Sequence, residues 1–233
     1  MRQVRQLMGM PITIDIPEAT DGVVFDKAFE RLEQIDNRFS TYKPKSEVSR
    51  FARGEIKESD LSAELTEVIK ACRQAEKWID GYFSAWAAGV FDPSGYVKGW
   101  AIGEAGNVIE GEGFGTYCIS AGGDILASSN SGKKWNIGIQ DPRHKGKILN
   151  KISISNGVVC TSGNYERGPH IINPKTKQPA DELLSVTITG PDITTADILA
   201  TACFAMGPKA ADFMKSQKNY QAIIIPHSQG SNR

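Results

Sequence analysis

The chain has 233 residues, of which 40% are hydrophobic, and its 27 lysines and arginines balance its 27 aspartates and glutamates. A chain of this length can bury a substantial core within one domain. The balanced charge and the lack of an obvious basic stripe disfavour a nucleic-acid partner. Nowhere do about 18 apolar residues follow one another, so the sequence predicts no membrane span.

The N-terminal segment and the cysteines favour a cytoplasmic location. Residues 1–10 carry positive charge without the apolar stretch of about 7–15 residues that a secretory signal needs. The four cysteines are widely spaced and form no Cys-x-x-Cys pair, which is typical of free thiols in a reducing compartment. We also expect residues 228–233 to form a flexible tail.

The first predicted elements are one strand and three helices. Residues Pro11–Ile16 alternate between apolar and polar as a strand does. Apolar residues recur at helical spacing over Val24–Ile35, and again from the N-cap Ser62 to about Asp80. A third helix is predicted over Lys98–Ile109.

After residue 115 the apolar period changes to two. Helices and strands thus come partly in blocks, which predicts an α+β fold with a mixed, largely antiparallel sheet and packed helices, in a single domain over residues 1–233. The remaining predicted strands are Thr116–Ser120, Trp135–Ile139, Ile148–Ser155, Val158–Cys160, Leu184–Thr189 and Ala222–Ile225, and the helices are Thr194–Ala205 and Pro208–Lys215.

Asp197 and Thr201 form the strongest local motif. They are four residues apart in a predicted helix, so they lie on one face. A carboxylate and a hydroxyl one turn apart suit a hard cation such as Mg²⁺, which prefers oxygen ligands. The structural alternative is an acidic residue in the first helical turn, with Thr201 bonded back to the helix backbone. On these residues alone the structural alternative is the commoner one.

Three further segments combine glycine with polar side chains. Residues 92–101 can offer amides and the Lys98 charge to a phosphate, or are a β-turn with a surface lysine. The paired glycines of 120–124 allow close approach of a ligand but also form ordinary hairpin turns. Residues 161–176 concentrate hydroxyls, an arginine and His170, which favours a site over a linker.

Taken together and in this order, these segments resemble the ApbE-type FAD:protein FMN transferases. The resemblance covers most of the chain. It rests on Met8–Met10, Phe39–Tyr42 with Ser46–Glu47, Asp80–Phe83, Asp92–Ala101, Ala121–Asp124, Trp135–Pro142, Thr161–Tyr165, His170–Thr176 and Thr195–Thr201.

The resemblance implies two intimately associated lobes with FAD bound between them as the substrate. It implies a divalent metal on the FAD pyrophosphate, with Mg²⁺ expected and Mn²⁺ or Ca²⁺ as alternatives. The FMN half of FAD would pass to a threonine or serine hydroxyl of a partner flavoprotein, and AMP would leave. The chain is expected to be either a monomer or a homodimer.

Site residues are carried over by position. The side chains of Asp197 and Thr201 and the carbonyl of Gly95 are expected to bind the metal. His170 is expected to act with Asp197 in catalysis, because a base is needed beside the incoming hydroxyl and imidazole titrates near neutral pH. The expected FAD contacts are Met8, Tyr82, Phe83, Ser84, Asp92, Lys98, His170, Ile171 and Ala180.

Some positions depart from the family pattern. Ser84-Ala85-Trp86 stands where an aspartate and a threonine are usual, and Ala52 where asparagine or tyrosine is common. These departures keep two alternatives open. One is an FAD pyrophosphatase that gives FMN and AMP with water, and the other is a non-catalytic FAD-binding protein.

Overall fold

A computed structural model describes residues 1–165 and 168–227. The tail predicted for residues 228–233 lies outside the described residues. Nine strands are described, which in chain order are β1 Arg2–Leu7, β2 Met10–Asp15, β3 Tyr117–Ala121, β4 Asp124–Ser128, β5 Trp135–Gln140, β6 Ile148–Ile154, β7 Gly157–Gly163, β8 Leu183–Gly190 and β9 Gln221–Pro226.

Seven of these strands form one sheet in the order β1-β2-β3-β4-β7-β8-β9, and every pairing in it is antiparallel. Strands β5 and β6 form a separate antiparallel ribbon. The predicted α+β class, with a largely antiparallel sheet and packed helices, is confirmed.

The helices supply most of the main core. In the first helix, Phe25, Phe29, Leu32 and Ile35 recur every three or four residues and are buried, which explains why this segment is helical. Within the described ranges no helix is both long and apolar enough to cross a membrane. The helices are α1 Val23–Phe39, α2 Glu47–Ala52, α3 Ala63–Trp78, α4 Ser94–Gly111, α5 Ile193–Met206 and α6 Ala210–Met214, with short 3-10 turns at Glu58–Asp60 and Gly207–Lys209.

Helices α4 and α5 pack closely because α4 has a glycine at the contact. A Cβ added to Gly99 would lie 2.9 Å from the carbonyl oxygen of Ile193 and 2.9 Å from Cβ of Asp197. Only a residue without a side chain allows this approach. The glycine therefore brings the second turn of α4 against the start of α5, where several predicted site residues lie.

The sheet has two covered faces. In β7, Val158 and Cys160 belong to the main core beneath the helices, whereas Val159 points to the other face. There Val159 packs with Ile137 and Ile139 of β5. The alternation of side chains along a strand thus places the helices on one face and the β5–β6 ribbon on the other.

One end of the sheet collects several of the glycine-containing turns. The strand pairing places the Met8–Gly9 turn, the Gly122–Gly123 turn, Gly163 and Pro226 at this end. We call these residues the Met8 end of the sheet. Met8 itself has φ of 54°, a left-handed conformation that is uncommon for a residue with a side chain.

Three elements of the fold and the start of a fourth differ from those predicted. Strands β1 and β4 and helix α2 were not predicted, and α4 begins at Ser94 rather than at Lys98. Strand β1 is an edge strand that alternates between exposed and half-buried residues, so its apolar signal is weak. The start of α4 reads Ser-Gly, which is poor in helix formers. Asp92 supports it, because its Oδ1 accepts a hydrogen bond of 2.9 Å from the amide of Ser94.

Candidate functional site

Lys98 lies between two buried carboxylates at the junction of α4, α5 and the sheet. Its Nζ is 2.7 Å from Oδ2 of Asp124 and 3.2 Å from Oδ1 of Asp197. The side chains of Asp124 and Asp197 are 0% and 2% exposed, and that of Lys98 is 20% exposed. This trio carries the only ion pairs with a fully or almost fully buried partner in the described ranges.

Backbone amides fix both carboxylates. Oδ2 of Asp197 accepts a 2.9 Å hydrogen bond from the amide of Gly99, so the close approach of α4 and α5 also orients this side chain. Oδ1 of Asp124 accepts a 3.1 Å bond from the amide of Thr161 in β7. Each carboxylate therefore uses one oxygen for the backbone and the other for Lys98.

Burial and charge oppose each other in this trio. Burial lowers the pKa of Lys98, but the charges of Asp124 and Asp197 outweigh burial and hold this pKa above its ordinary value. Burial raises the pKa of Asp197 to about 7, against the lowering effect of Lys98. With all three groups ionised the trio has one negative charge in excess, which a bound cation would neutralise.

Thr201 extends the site by one helical turn. Its Oγ1 lies 3.4 Å from Oγ of Ser162 in β7. A Cβ added to Gly95 would lie 3.9 Å from Oγ1 of Thr201 and 3.2 Å from the ring of Phe83. The small residue at position 95 therefore leaves its backbone close to the Thr201 hydroxyl.

The structure decides against the two structural alternatives weighed for these motifs. The N-cap of α5 is Asp192, whose Oδ1 accepts a hydrogen bond from the amide of Thr195 at 2.7 Å, and the first turn of α5 contains no acidic residue, so Asp197 lies beyond that turn. The described contact of Thr201 Oγ1 is with Ser162. Lys98 is in a helix and largely buried, so it is not a surface lysine in a turn.

The donors at this junction fit a hard divalent cation. Asp197 supplies a buried carboxylate, Thr201 a hydroxyl and Gly95 a carbonyl, and all three are oxygen donors of the kind that Mg²⁺ prefers. In the described part of the chain no three histidine, cysteine, aspartate or glutamate side chains form a metal-binding group. The predicted set needs only one such side chain, and substrate phosphates and waters commonly complete a Mg²⁺ shell.

Comparison with known proteins identifies the family of this chain. The family model described as the ApbE family matches residues 8–92 and 87–224. The chain belongs to the ApbE family.

Named relatives and solved structures support this membership. An FAD:protein FMN transferase from Treponema pallidum is 41% identical over 114 residues, which are 44% of this chain and 32% of that protein. One from Klebsiella pneumoniae is 30% identical over 146 residues, 57% of this chain and 42% of that protein. The matched segments thus span less than half of these relatives.

Two solved structures share the fold along almost the whole chain. The ApbE protein of Thermotoga maritima has a TM-score of 0.83 at 23% identity, over 96% of this chain and 93% of that one. The flavin transferase ApbE from Vibrio cholerae has a TM-score of 0.82 at 20% identity, over 98% and 94%. At this level of identity the likeness establishes the ApbE fold.

Among the other residues predicted from the ApbE resemblance, Phe83 lies next to Gly95. Phe83 is buried, and Tyr82 precedes it. Nζ of Lys175 lies 4.1 Å from the centre of the Tyr82 ring and 2.7 Å from Oδ2 of Asp80. These contacts join the segment after α3 to the predicted substrate-contacting segment 170–180.

The remaining residues predicted to contact FAD are less closely connected to the trio. Ile171 and Ala180 are buried and joined by a 2.8 Å backbone hydrogen bond. His170 is exposed, and its Nδ1 lies 2.8 Å from the carbonyl oxygen of Gly168. Ser84 and Met8 are half-buried and Asp92 is exposed. Among the described contacts, no hydrogen bond or ion pair links His170, Met8 or Asp92 to Lys98 or its two carboxylates.

The sequence analysis did not assign roles to Asp124, Thr161 and Ser162. Their motifs were noted, but a glycine-rich turn before an acidic residue is common in hairpins. What distinguishes Asp124 is its complete burial, which follows from the pairing of β4 between β3 and β7. Because strand β4 was not predicted, that burial was not foreseen.

Replacing Lys98 tests how strongly the trio depends on its shared positive charge. We expect Lys98→Met to lower the free energy of unfolding by about 3–5 kcal/mol, because two buried carboxylates lose their counter-charge. The measurement is urea denaturation with a chelator present, so that no cation replaces the lysine. Lys215→Met, which removes an exposed pair with Asp212, is the control and should leave the free energy of unfolding almost unchanged, because solvent screens that pair. Equal losses in the two variants would contradict this account of the trio.

Proposed function

We propose that this chain transfers FMN from FAD to a threonine or serine hydroxyl of a partner flavoprotein, with release of AMP. The observation that carries the proposal is the set of oxygen donors at Gly95, Asp197 and Thr201 beside the buried Lys98, in a chain of the ApbE family. The names of the relatives, FAD:protein FMN transferase, support the same reaction.

The reaction exchanges one phosphorus–oxygen bond for another. The acceptor oxygen bonds to the FMN phosphorus, while the bond between that phosphorus and the bridging oxygen breaks. The hydroxyl proton passes to a base, and AMP takes the electron pair of the broken bond. Such transfers depend mainly on positioning and on stabilising negative charge.

The junction of α4 and α5 is suited to hold the divalent metal. Asp197, Thr201 and the Gly95 carbonyl would bind it, with Mg²⁺ as the first candidate and Mn²⁺ or Ca²⁺ as the alternatives. When bound, the metal would neutralise charge on the pyrophosphate and stabilise the leaving phosphate. The amide of Gly99 holds the Asp197 side chain in place independently of any cation.

Lys98 and the aromatic residues would position the anionic substrate. Lys98 neutralises part of the charge of Asp124 and Asp197, so phosphates meet a smaller negative potential at this point. Tyr82, with the Lys175 ammonium over its ring, offers an aromatic face beside a positive charge. Such a pair suits a flavin or adenine ring next to a phosphate.

His170 would act as the base for the incoming hydroxyl. An acceptor protein has to reach the base from solvent, and His170 is exposed. Its Nδ1 is engaged with the Gly168 carbonyl, which requires Nδ1 to carry a proton and leaves Nε2 free to accept one. A hydrogen bond of this kind fixes the tautomer that a general base needs.

The function is tested by incubating the protein with FAD and Mg²⁺, with and without a peptide-fused acceptor that contains an Asp-x-x-x-Gly-Ala-Thr-type sequence. We expect the acceptor to gain the mass of one FMN, with one AMP released per FMN transferred. Chromatography of the nucleotides and mass spectrometry of the acceptor measure both. Free FMN with an unmodified acceptor would instead indicate a pyrophosphatase, and intact FAD would indicate a binding protein.

Asp197→Asn tests the metal ligand. The amide can still accept the hydrogen bond from Gly99, but it lacks the charge that attracts a cation. We therefore expect metal-dependent turnover to fall by at least about 100-fold, with a higher metal concentration needed for half-maximal rate. Asp192→Asn is the matched control on the same helix, because asparagine is an equally good N-cap. Wild-type metal dependence in Asp197→Asn would rule out the assignment.

His170→Ala tests the base. We expect FMN transfer to slow by about 100-fold or more, as loss of a general base usually does, while the dissociation constant for FAD stays unchanged. Flavin fluorescence titration measures binding, and the transfer assay measures the rate. His227→Ala, another exposed histidine, is the control. If His170→Ala weakens FAD binding and leaves the rate at saturating FAD intact, this residue binds FAD and is not the base.

A further inference from the structure

The β5–β6 ribbon carries a concentrated positive charge. Residues 133–151 contain six lysines and arginines and a single acidic residue, Asp141, which gives this segment a formal charge of +5 in a chain of zero net charge. The rest of the chain therefore has a formal charge of −5. We call residues 133–151 the basic hairpin.

Most of this charge is exposed and unpaired. Residues 143–151 are all exposed, and Lys134, Lys145, Lys147 and Lys151 form no salt bridge with any residue in 1–165 or 168–227. The lone acidic residue does not offset them, because Asp141 is used inside the tip. Its two oxygens contact the amide of Arg143 and Nδ1 of His144, each at 2.9 Å.

The tip of the basic hairpin is held in one conformation. The amide of Asp141 donates to the carbonyl of Lys147 at 2.8 Å, and the amide of Lys147 donates to the carbonyl of His144 at 3.0 Å. Nη2 of Arg143 donates to the carbonyl of Pro226 at 3.1 Å, which anchors the tip to the last residue of β9. A turn whose backbone is already held in place loses little backbone entropy when a partner binds.

Two aliphatic side chains lie within the charged surface. Ile148 and Leu149, at the start of β6, are 51% and 47% exposed. Exposed apolar residues surrounded by charge are typical of protein-binding surfaces, in which apolar contact supplies affinity and charge supplies orientation.

The position of the basic hairpin relates it to the candidate site. Pro226, to which the tip is anchored, belongs to the Met8 end of the sheet. The turn that leads into Asp124 lies at the same end, on a neighbouring part of the sheet. The trio is on the helical face and the hairpin on the opposite face, so a protein that lies across this end contacts both.

We propose that the basic hairpin docks an acidic surface of the protein that accepts FMN, which rests on the transferase function proposed above. A protein substrate has to bring one hydroxyl to the site and therefore needs a second contact nearby to fix its orientation. The hairpin provides it through its charge, its two apolar side chains and its place at the Met8 end. An anionic membrane would match the charge but has no threonine or serine hydroxyl to deliver to this end of the sheet.

The test uses three labelled peptides that share an Asp-x-x-x-Gly-Ala-Thr-type segment and are flanked by runs of glutamate, serine or lysine. Binding is measured by fluorescence anisotropy without FAD, and transfer is measured separately with FAD and Mg²⁺. We expect the wild-type protein to bind the glutamate-flanked peptide at least about tenfold more tightly than the lysine-flanked one at low ionic strength. This preference should shrink as salt is added.

Lys145→Glu/Lys147→Glu locates the binding surface. We expect this variant to lose the preference for glutamate, to raise KM for the glutamate-flanked peptide about tenfold, and to keep the wild-type affinity for FAD. Lys45→Glu/Lys57→Glu, which changes two exposed lysines in the loops around α2 by the same charge, should keep the preference.

The other outcomes distinguish a failure of the docking proposal from a failure of the proposed transferase function. Equal binding of the three peptides by the wild type, or equal loss in both variants, overturns the docking proposal even if FMN is transferred. A hairpin-dependent preference for glutamate without any transfer supports docking and overturns the transferase. Binding to vesicles of phosphatidylcholine and phosphatidylglycerol tests an anionic membrane as the alternative partner of the basic hairpin. Hairpin-dependent vesicle binding with no discrimination among the peptides would overturn docking of a protein.

Discussion

The candidate site depends on the burial of Lys98 between two carboxylates. Burying three ionisable groups costs free energy, and only their mutual attraction with well-placed hydrogen bonds offsets it. The amides of Gly99 and Thr161 supply those bonds from α4 and β7, while α5 supplies Asp197. The trio therefore constrains how these three elements pack. With both carboxylates ionised, it also has an excess negative charge beside Thr201 and Gly95, which present further oxygens.

The spacing of residues along the sequence predicted part of this arrangement. The interval between Asp197 and Thr201 predicted a shared helix face, and both residues lie in α5. Such intervals are visible in sequence because a helix repeats every 3.6 residues. The phosphate or metal contact of residues 92–101 stays a prediction. The density of polar residues over 161–176 had already drawn attention to His170, and the resemblance to the ApbE family added its expected role and the rest of the segment up to residue 180.

The missed parts depend on contacts between distant segments. Asp124 is buried because β4 lies between β3 and β7, and neither neighbour can be identified from the five residues of β4. Strand β1 has little apolar signal of its own and is held by its pairing with β2. In both cases tertiary context outweighs local propensity, as is usual for strands.

The net charge was the least informative property of the sequence, because it does not show that a basic surface is separate from the rest of the protein. On the helical side, Arg31 of α1 binds Glu64 and Glu104 at 2.7 and 2.6 Å, so positive charges there are matched by acidic neighbours. Among the residues that the structure describes, none forms a salt bridge with a lysine of the basic hairpin, and most of these lysines are exposed to water. Paired charges join α1 to α3 and α4, whereas unpaired charges add nothing to the fold and are free to attract an anionic partner. The zero net charge therefore does not distinguish the helical side, whose paired charges join helices, from the basic hairpin, whose unpaired charges can attract a partner.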